Sequence, residues 1–496
     1  MLMISGPRRS AHSWLLSSLV LVGACGDDSA PTVDAGSVDA SLDSTTDAVS
    51  LDASTPRFEI GACPVAFPGL VEGETVRCGK LVVLQDRARP DGLVLRLSVV
   101  IVHADDDPEP DPIVHLLGGP GLSVRAYQEV LSDFALSLSA ASGRDVVFFD
   151  QRGTGDSEPF LACRAAEAFD ACSARLASEG IELAYFDTAS SADDVDDLRR
   201  ALGAPSLHVY GQSYGTTLAL EVMRRHPTTT ASALLESTSS PAFDVFLTSS
   251  PRSFELAFAR VVEECAADVA CAEEFPDPSA DLAGILGGLT PGSDEADGFV
   301  GLVRSLMQSA QGSSLVPLLL ASVVQGDTET LSAIVETARE AAAEEERVFR
   351  RFSEVMYWSM TCGDYAPRAT DEENERVNGE AHPVLRAAFG EDPAAFRALC
   401  GTLPRREVDL APVRSDIPTL IFAGTHDDNT PLEIAESVAA ELGSARVLRA
   451  PGWGHVMLAR GNACLRDAYA RFIEDPASAV PPCVAEQRVV FPTSLD

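Results

Sequence analysis

Leu207-His208-Val209-Tyr210-Gly211-Gln212-Ser213-Tyr214-Gly215-Thr216 runs from a short apolar stretch, through a glycine-flanked serine, into a helix-compatible segment that reaches Arg225. An unalternating apolar run of this length suits a strand buried on both faces, as in a parallel sheet covered by helices. Gly211 and Gly215 permit close backbone approach at a tight strand-to-helix turn, and such a turn presents the serine hydroxyl above the sheet as a nucleophile. The G-x-S-x-G pattern is weak by itself; its place between a strand and a helix gives it weight.

Working outward, residues 113–117 and 146–149 are further compact apolar runs that end in glycine-rich or polar turns. Residues 81–84 and 93–102 are β-rich and flank Arg89-Pro90-Asp91-Gly92, a turn signal, so they predict a leading hairpin. Helix-compatible stretches such as 191–202 lie between the strands, and the β-α-β alternation predicts an α/β fold. After 233–235 the pattern changes. Residues 241–404 hold no convincing strand, whereas helical periodicity recurs at 253–266, 299–307, 315–324 and 329–358. Alternation resumes with strands at 419–422 and 445–448 and a closing helix at 462–472. The division expected is a core in two parts, 57–240 and 406–496, interrupted by a helical cap at 241–405. Insertions over strand ends are natural lids.

The 496 residues carry 37 basic and 75 acidic side chains, a net charge of −38, with 46% apolar residues. That balance excludes simple phosphate-backbone binding, hence a nucleic-acid partner. Residues 1–24 have the layout of a secretory signal, with Arg8 and Arg9 before an apolar run. Leu21-Val22-Gly23-Ala24-Cys25 is similar to a bacterial lipobox, which makes Cys25 the expected lipidation site and the membrane a partner through an N-terminal anchor. Residues 25–56 are rich in Asp, Ser, Ala and Thr and without Lys or Arg, the composition of a disordered acidic tether. The expected location is therefore extracytoplasmic. Cysteine usage agrees with export: of 11 cysteines, those beyond Cys25 are even in number and lack C-x-x-C spacing. Sequential neighbours are the expected disulfides, Cys63 with Cys78, Cys163 with Cys172, Cys265 with Cys271, Cys362 with Cys400, and Cys464 with Cys483.

A serine hydroxyl needs a base, and the base needs a carboxylate to orient it. Only 8 histidines are present. His12, His103, His115, His208, His226 and His382 fall in the signal, in strands, at a helix end or in the helical block, which leaves His426 and His455. His455, in Pro451-Gly452-Trp453-Gly454-His455 after the penultimate strand-like run, fits the chain order serine, acid, histidine. Asp427 and Asp428 follow the strand at 419–422; Asp427 is the preferred acid and Asp428 the expected cap of the helix near Pro431. Glu236 is an alternative acid. Backbone N–H groups must await the developing oxyanion, and Tyr214 and Gly119, the latter in Gly118-Gly119-Pro120-Gly121, are the expected donors.

These blocks resemble the serine peptidase family of prolyl iminopeptidases and secreted tripeptidyl aminopeptidases, within the α/β-hydrolase superfamily. The matching segments are Gly118-Gly119-Pro120-Gly121, residues 150–157 (Asp150 to Ser157), the serine elbow, residues 424–431, Gly454-His455, the Cys265 to Cys271 segment, and Cys464 with Cys483; the likeness covers residues 60–485. It implies an α/β-hydrolase fold, a Ser213, Asp427 and His455 triad, and a helical cap. Two departures stand out. Leu117 replaces the histidine common in iminopeptidases, and Glu236 stands where the secreted aminopeptidases often carry aspartate. Asp150 and Arg152 are read as ties within their loop. An exopeptidase needs a carboxylate for the substrate's free α-amine, and Glu236, Glu344, Glu345, Glu346 and Glu354 are candidates. The partner implied is a peptide with a free N-terminus. An esterase would use the same triad, and a non-catalytic surface binding protein would have lost it. No metal cluster, dinucleotide fingerprint or phosphate loop calls for a metal or cofactor.

Overall fold

The computed structural model describes residues 55–496, apart from 105–106, 129–130, 244–245, 350, 391, 459–460 and 496. The signal, Cys25 and almost all of the tether lie outside the described residues. Among those described, nine strands form one sheet: β1 (Arg57–Gly61), β2 (Val76–Leu84), β3 (Val94–Val102), β4 (Ile113–Leu116), β5 (Val146–Phe149), β6 (Leu207–Gln212), β7 (Thr230–Glu236), β8 (Thr419–Gly424) and β9 (Ala445–Ala450). The order is β1-β2-β3-β5-β4-β6-β7-β8-β9. β1, β2, β3 and β5 pair antiparallel, and every later pairing is parallel. The predicted hairpin is β2–β3. β1 has no counterpart among the expected strands, because five residues on a sheet edge, three half-buried and two exposed, carry little pattern.

Side chains along β3 alternate between two apolar layers. Leu95, Leu97, Val99 and Ile101 join one, and Val100 and Val102 the other, as the two-residue period of a strand requires. Helices α1 (Thr188–Leu202) and α2 (Tyr214–Arg225) cover the first face through Val195, Leu198, Leu218 and Val222. α1 is capped at both ends, by the Asp187 carboxylate accepting from Ser190 N–H and by Gly203 at φ 72°.

No strand lies between β7 and β8 among the described residues. Helices α3 (Pro251–Ala267), α4 (Asp294–Met307) and α5 (Thr328–Val348) belong to a third apolar cluster, in which Phe254, Val261, Val300, Leu306 and Ile334 meet. The expectation of one helix over 329–358 is corrected: α5 ends at Val348 and α6 (Glu354–Asp364) begins anew. Arg351 takes φ 54° between them, and the Ser353 hydroxyl caps α6 by accepting from Met356 N–H. Val355, Met356 and Met360 then pack into the cluster of the sheet, not into that of the cap. The closing helix is α7 (Ala463–Glu474), on the opposite face of the sheet. All five neighbouring cysteine pairs are bridged.

Candidate active site

β6 is buried along its whole length and delivers Ser213 to a turn with φ 55° and ψ −126°, a conformation that L-residues rarely hold. The packing around it is glycine-dependent. A Cβ on Gly215 would stand 1.9 Å from the Leu116 carbonyl oxygen, and one on Gly118 would stand 2.9 Å from Ser213 Cβ. Leu116 ends β4 and Gly118 lies two residues further on, so the Gly118–Gly121 loop is pressed against the serine turn. Ser213 itself is only half-buried, and its N–H donates to the Glu236 carbonyl at 2.9 Å. Tyr214 is the first residue of α2, where an N–H has no carbonyl within the helix to bond.

His455 and Asp427 meet across two loops. His455 Nδ1 lies 3.0 Å and 3.1 Å from the two Asp427 carboxylate oxygens. Asp427 also accepts from Asn429 N–H (2.9 Å), Thr430 N–H (2.8 Å) and the Thr430 hydroxyl (2.8 Å). Burial opposes its charge, but the charge of His455 and the hydrogen bonds from His455 and Thr430 hold the carboxyl below the usual range. The loops are tied to each other, since His426 N–H donates to the Trp453 carbonyl at 3.0 Å.

His426, the competing histidine, is fully buried and faces Glu264 of α3 at 3.2 Å, away from this pair. Asp428 does not cap the following helix, Leu432–Glu441, whose N-cap position is Pro431 and which has no side-chain cap. Its carboxylate is taken by Arg304 Nε of α4 (2.7 Å) and Gln308 Nε2 (2.8 Å), contacts across the fold that no local pattern announces. Asp150 and Arg152 are buried, and only Asp150 ties its own loop: it accepts from Asp156 N–H there and from Val124 N–H outside it, whereas Arg152 reaches away to pair with Asp194 of α1.

Glu236 requires a correction. It is 0% exposed, and both carboxylate oxygens already accept hydrogen bonds, so it cannot receive a substrate amine or face His455 in place of Asp427. Of the other acids considered, Glu354 is half-buried at the start of α6, directly after Ser353, whose N–H donates to the Gly121 carbonyl at 2.9 Å. The side chains of Glu344, Glu345 and Glu346 lie outside the described residues. A group with metal-like spacing, Cys163, Glu167 and Cys172, has both sulfurs committed to a disulfide.

α6 also reaches the serine turn from its other end. The Thr188 hydroxyl donates to Asp364 Oδ2 (2.7 Å) and lies 2.7 Å from the Tyr214 hydroxyl. Burial, aided by Asp187 and Glu221 nearby and opposed by the Thr188 hydrogen bond, pushes the Asp364 carboxyl up to about 7. An unfolded aspartate ionises near 3.9, so the folded state binds the extra proton between those values and loses stability as pH rises through the window. The stability advantage of Asp364→Asn is therefore expected to grow from pH 4 to pH 7, by up to ~1.4 kcal/mol per pH unit, and then level off. Urea titrations at pH 4.5 and 7.5 that gave one constant difference would refute it.

A family model described as the α/β hydrolase fold matches residues 111–273, and one described as TAP-like protein matches residues 386–481. Serine protease Hip1 of Mycobacterium tuberculosis is 24% identical over 455 residues, covering 80% of this chain and 84% of the relative. Tripeptidyl aminopeptidase of Streptomyces coelicolor is 25% identical over 443 residues, covering 79% and 80%. The chain is an α/β-hydrolase-fold serine hydrolase. Carboxylesterase B of Mycobacterium tuberculosis is similar to this hydrolase as well, at 25% over 477 residues, covering 85% and 88%. The hydrolase thus shares its scaffold with proteins named for peptide and for ester chemistry.

Proposed function

We propose that the hydrolase is an extracytoplasmic aminopeptidase that releases N-terminal residues or short peptides through an acyl-enzyme on Ser213. The observation that carries this reading is the strained serine turn at the end of β6, with the His455–Asp427 pair fixed on loops beyond β9 and β8. Ser213 Oγ attacks the scissile carbonyl carbon while His455 Nε2 takes its proton, and Asp427 holds the imidazole by Nδ1. The oxyanion is met by the N–H groups of Tyr214 and Gly119. Collapse breaks the C–N bond, the leaving amine takes the proton from His455, and Ser213 keeps the acyl group as an ester. Water, deprotonated by His455, hydrolyses that ester and restores the serine.

The names of two relatives favour a peptidase, and Glu354 is the carboxylate we assign to the substrate's free amine, because α6 begins against the Gly121 end of the oxyanion loop. Five disulfides suit an oxidising compartment, in line with the lipobox and tether at the N-terminus. The similarity to carboxylesterase B keeps an esterase as the second reading.

The test measures hydrolysis of a free-amine tripeptide amide, a proline amide and a short acyl ester, each amide also in N-acetylated form. Turnover of either amide, abolished by acetylation, is expected, and Glu354→Gln should raise KM for the free-amine substrate about tenfold or more through loss of a charged hydrogen bond. Equal cleavage of acetylated and free peptides would defeat the aminopeptidase reading, and turnover of the ester alone would establish the esterase.

A further inference from the structure

Three successive backbone N–H groups follow His455, and all three are caught by two side chains at the end of β7. Val456 N–H donates to the Ser237 hydroxyl oxygen (2.9 Å), and Met457 and Leu458 N–H both donate to Glu236 Oε1 (2.6 Å and 2.7 Å). The other oxygen, Oε2, accepts from the Tyr210 hydroxyl and from Gln212 Nε2 (3.2 Å), both on β6 in the approach to Ser213. The Glu236 carbonyl takes the Ser213 N–H itself. One residue therefore touches the strand that carries the serine, the serine turn and the loop that carries the histidine.

Val456 shows why the histidine loop needs such a hold. It is β-branched, yet it sits at φ 63°, a conformation that costs on the order of 1–3 kcal/mol and persists only where its surroundings impose it. The anchored amides of residues 456–458 impose it here. Released from them, the loop has a more favourable backbone to relax into, and His455 would move with it.

We propose that Glu236 is a positioning residue: through the amides of Met457 and Leu458 it sets His455 in register with the serine turn. The inference rests on the reading of Ser213 and His455 as nucleophile and base. What matters is the reach of the acceptor oxygen. A side chain that keeps the reach without the charge should preserve the register, and one that keeps the charge but is a methylene shorter should lose it.

Two variants separate these properties. Glu236→Gln retains an oxygen for the two amides; the Tyr210 hydroxyl can turn to accept from the new amide group, and the Gln212 amide can turn over to offer it an oxygen, with the Tyr127 hydroxyl then accepting from Gln212. Glu236→Asp keeps the carboxylate but withdraws it from residues 457 and 458. With the free-amine tripeptide amide, Glu236→Asp is expected to lower kcat about 100-fold with KM within about threefold, the effect of a misplaced base, while Glu236→Gln stays within about tenfold of the parent. Equal losses in the two variants, a larger loss in the glutamine variant, or a loss carried by KM would overturn the proposal. Ser213→Ala, assayed alongside, keeps the two questions apart. Undiminished turnover in that variant removes the catalytic reading itself, whereas serine-dependent turnover with Glu236→Asp at the parent kcat removes only the role of Glu236.

Discussion

Ser213→Ala is expected to reduce kcat on the preferred substrate by a factor of about 10⁴ to 10⁶, leaving the modest rate enhancement that binding and the oxyanion donors provide alone. His455→Ala should lose a similar factor, and the double variant should be little worse than either, because the two groups act in one proton transfer. Substrate binding should survive in all three. Stability moves the other way at this position. Alanine inherits the φ of 55° and gains nothing, whereas Ser213→Gly removes the Cβ that makes the turn costly, and should raise the unfolding midpoint in urea while abolishing turnover. A Ser213→Ala protein with more than about a hundredth of the parent kcat would place the nucleophile elsewhere. A Ser213→Gly protein of unchanged stability would show that the turn is not strained.

The parts legible in the sequence are those written locally. The strand, glycine turn and helix around Ser213 occupy one continuous stretch, and both the 3.6-residue and the buried-strand patterns can be read there. Asp427 and His455 were legible for a related reason, since each sits in the loop directly after a strand-like run. The partners that hold those loops were not legible. Arg304 and Asp428 are 124 residues apart, and Glu236 and Met457 are 221 apart, so nothing in the local sequence of either ties it to the other. Glu236 stands in the sequence as one candidate among several for the substrate amine and as an alternative acid, because sequence shows the charge and hides the burial. The break between α5 and α6 was missed because Phe349 and Phe352 continue a helical spacing. The chain leaves the helix there to bring Ser353 against Gly121, a tertiary demand that outweighs local propensity.

Arg304→Ala carries the largest expected cost among the cap residues. Its guanidinium is nearly buried, donates to Asp428 Oδ2 at 2.7 Å and to Asn429 Oδ1 at 3.1 Å, and lies 4.3 Å from the centroid of the Phe389 ring. Asp428 is 0% exposed, and with Arg304 truncated it would keep only Gln308 as a side-chain donor among the described residues. Breaking a buried pair by removing one partner leaves an uncompensated charge and costs about 3–5 kcal/mol. The loss should reach the chemistry too, because Asp428 adjoins Asp427, and the Ser253 hydroxyl of α3 grips the Asp428 carbonyl from the same side. The histidine loop is held in like manner: the Ser313 hydroxyl donates to the Gly452 carbonyl at 2.8 Å, and a Cβ on Gly454 would stand 2.0 Å from the Met307 carbonyl oxygen. The cap is thus a clamp on the acid and histidine loops, and lifting it there as a lid would first have to break the Arg304–Asp428 pair. Pairing Arg304→Met with Asp428→Asn removes both charges together and should recover most of the stability lost in Arg304→Met alone. Urea unfolding of the four corners of that cycle measures the coupling. A coupling near zero would mean that the clamp owes its hold to the apolar contacts of α3 and α4, and that the ion pair beside Asp427 is incidental to it.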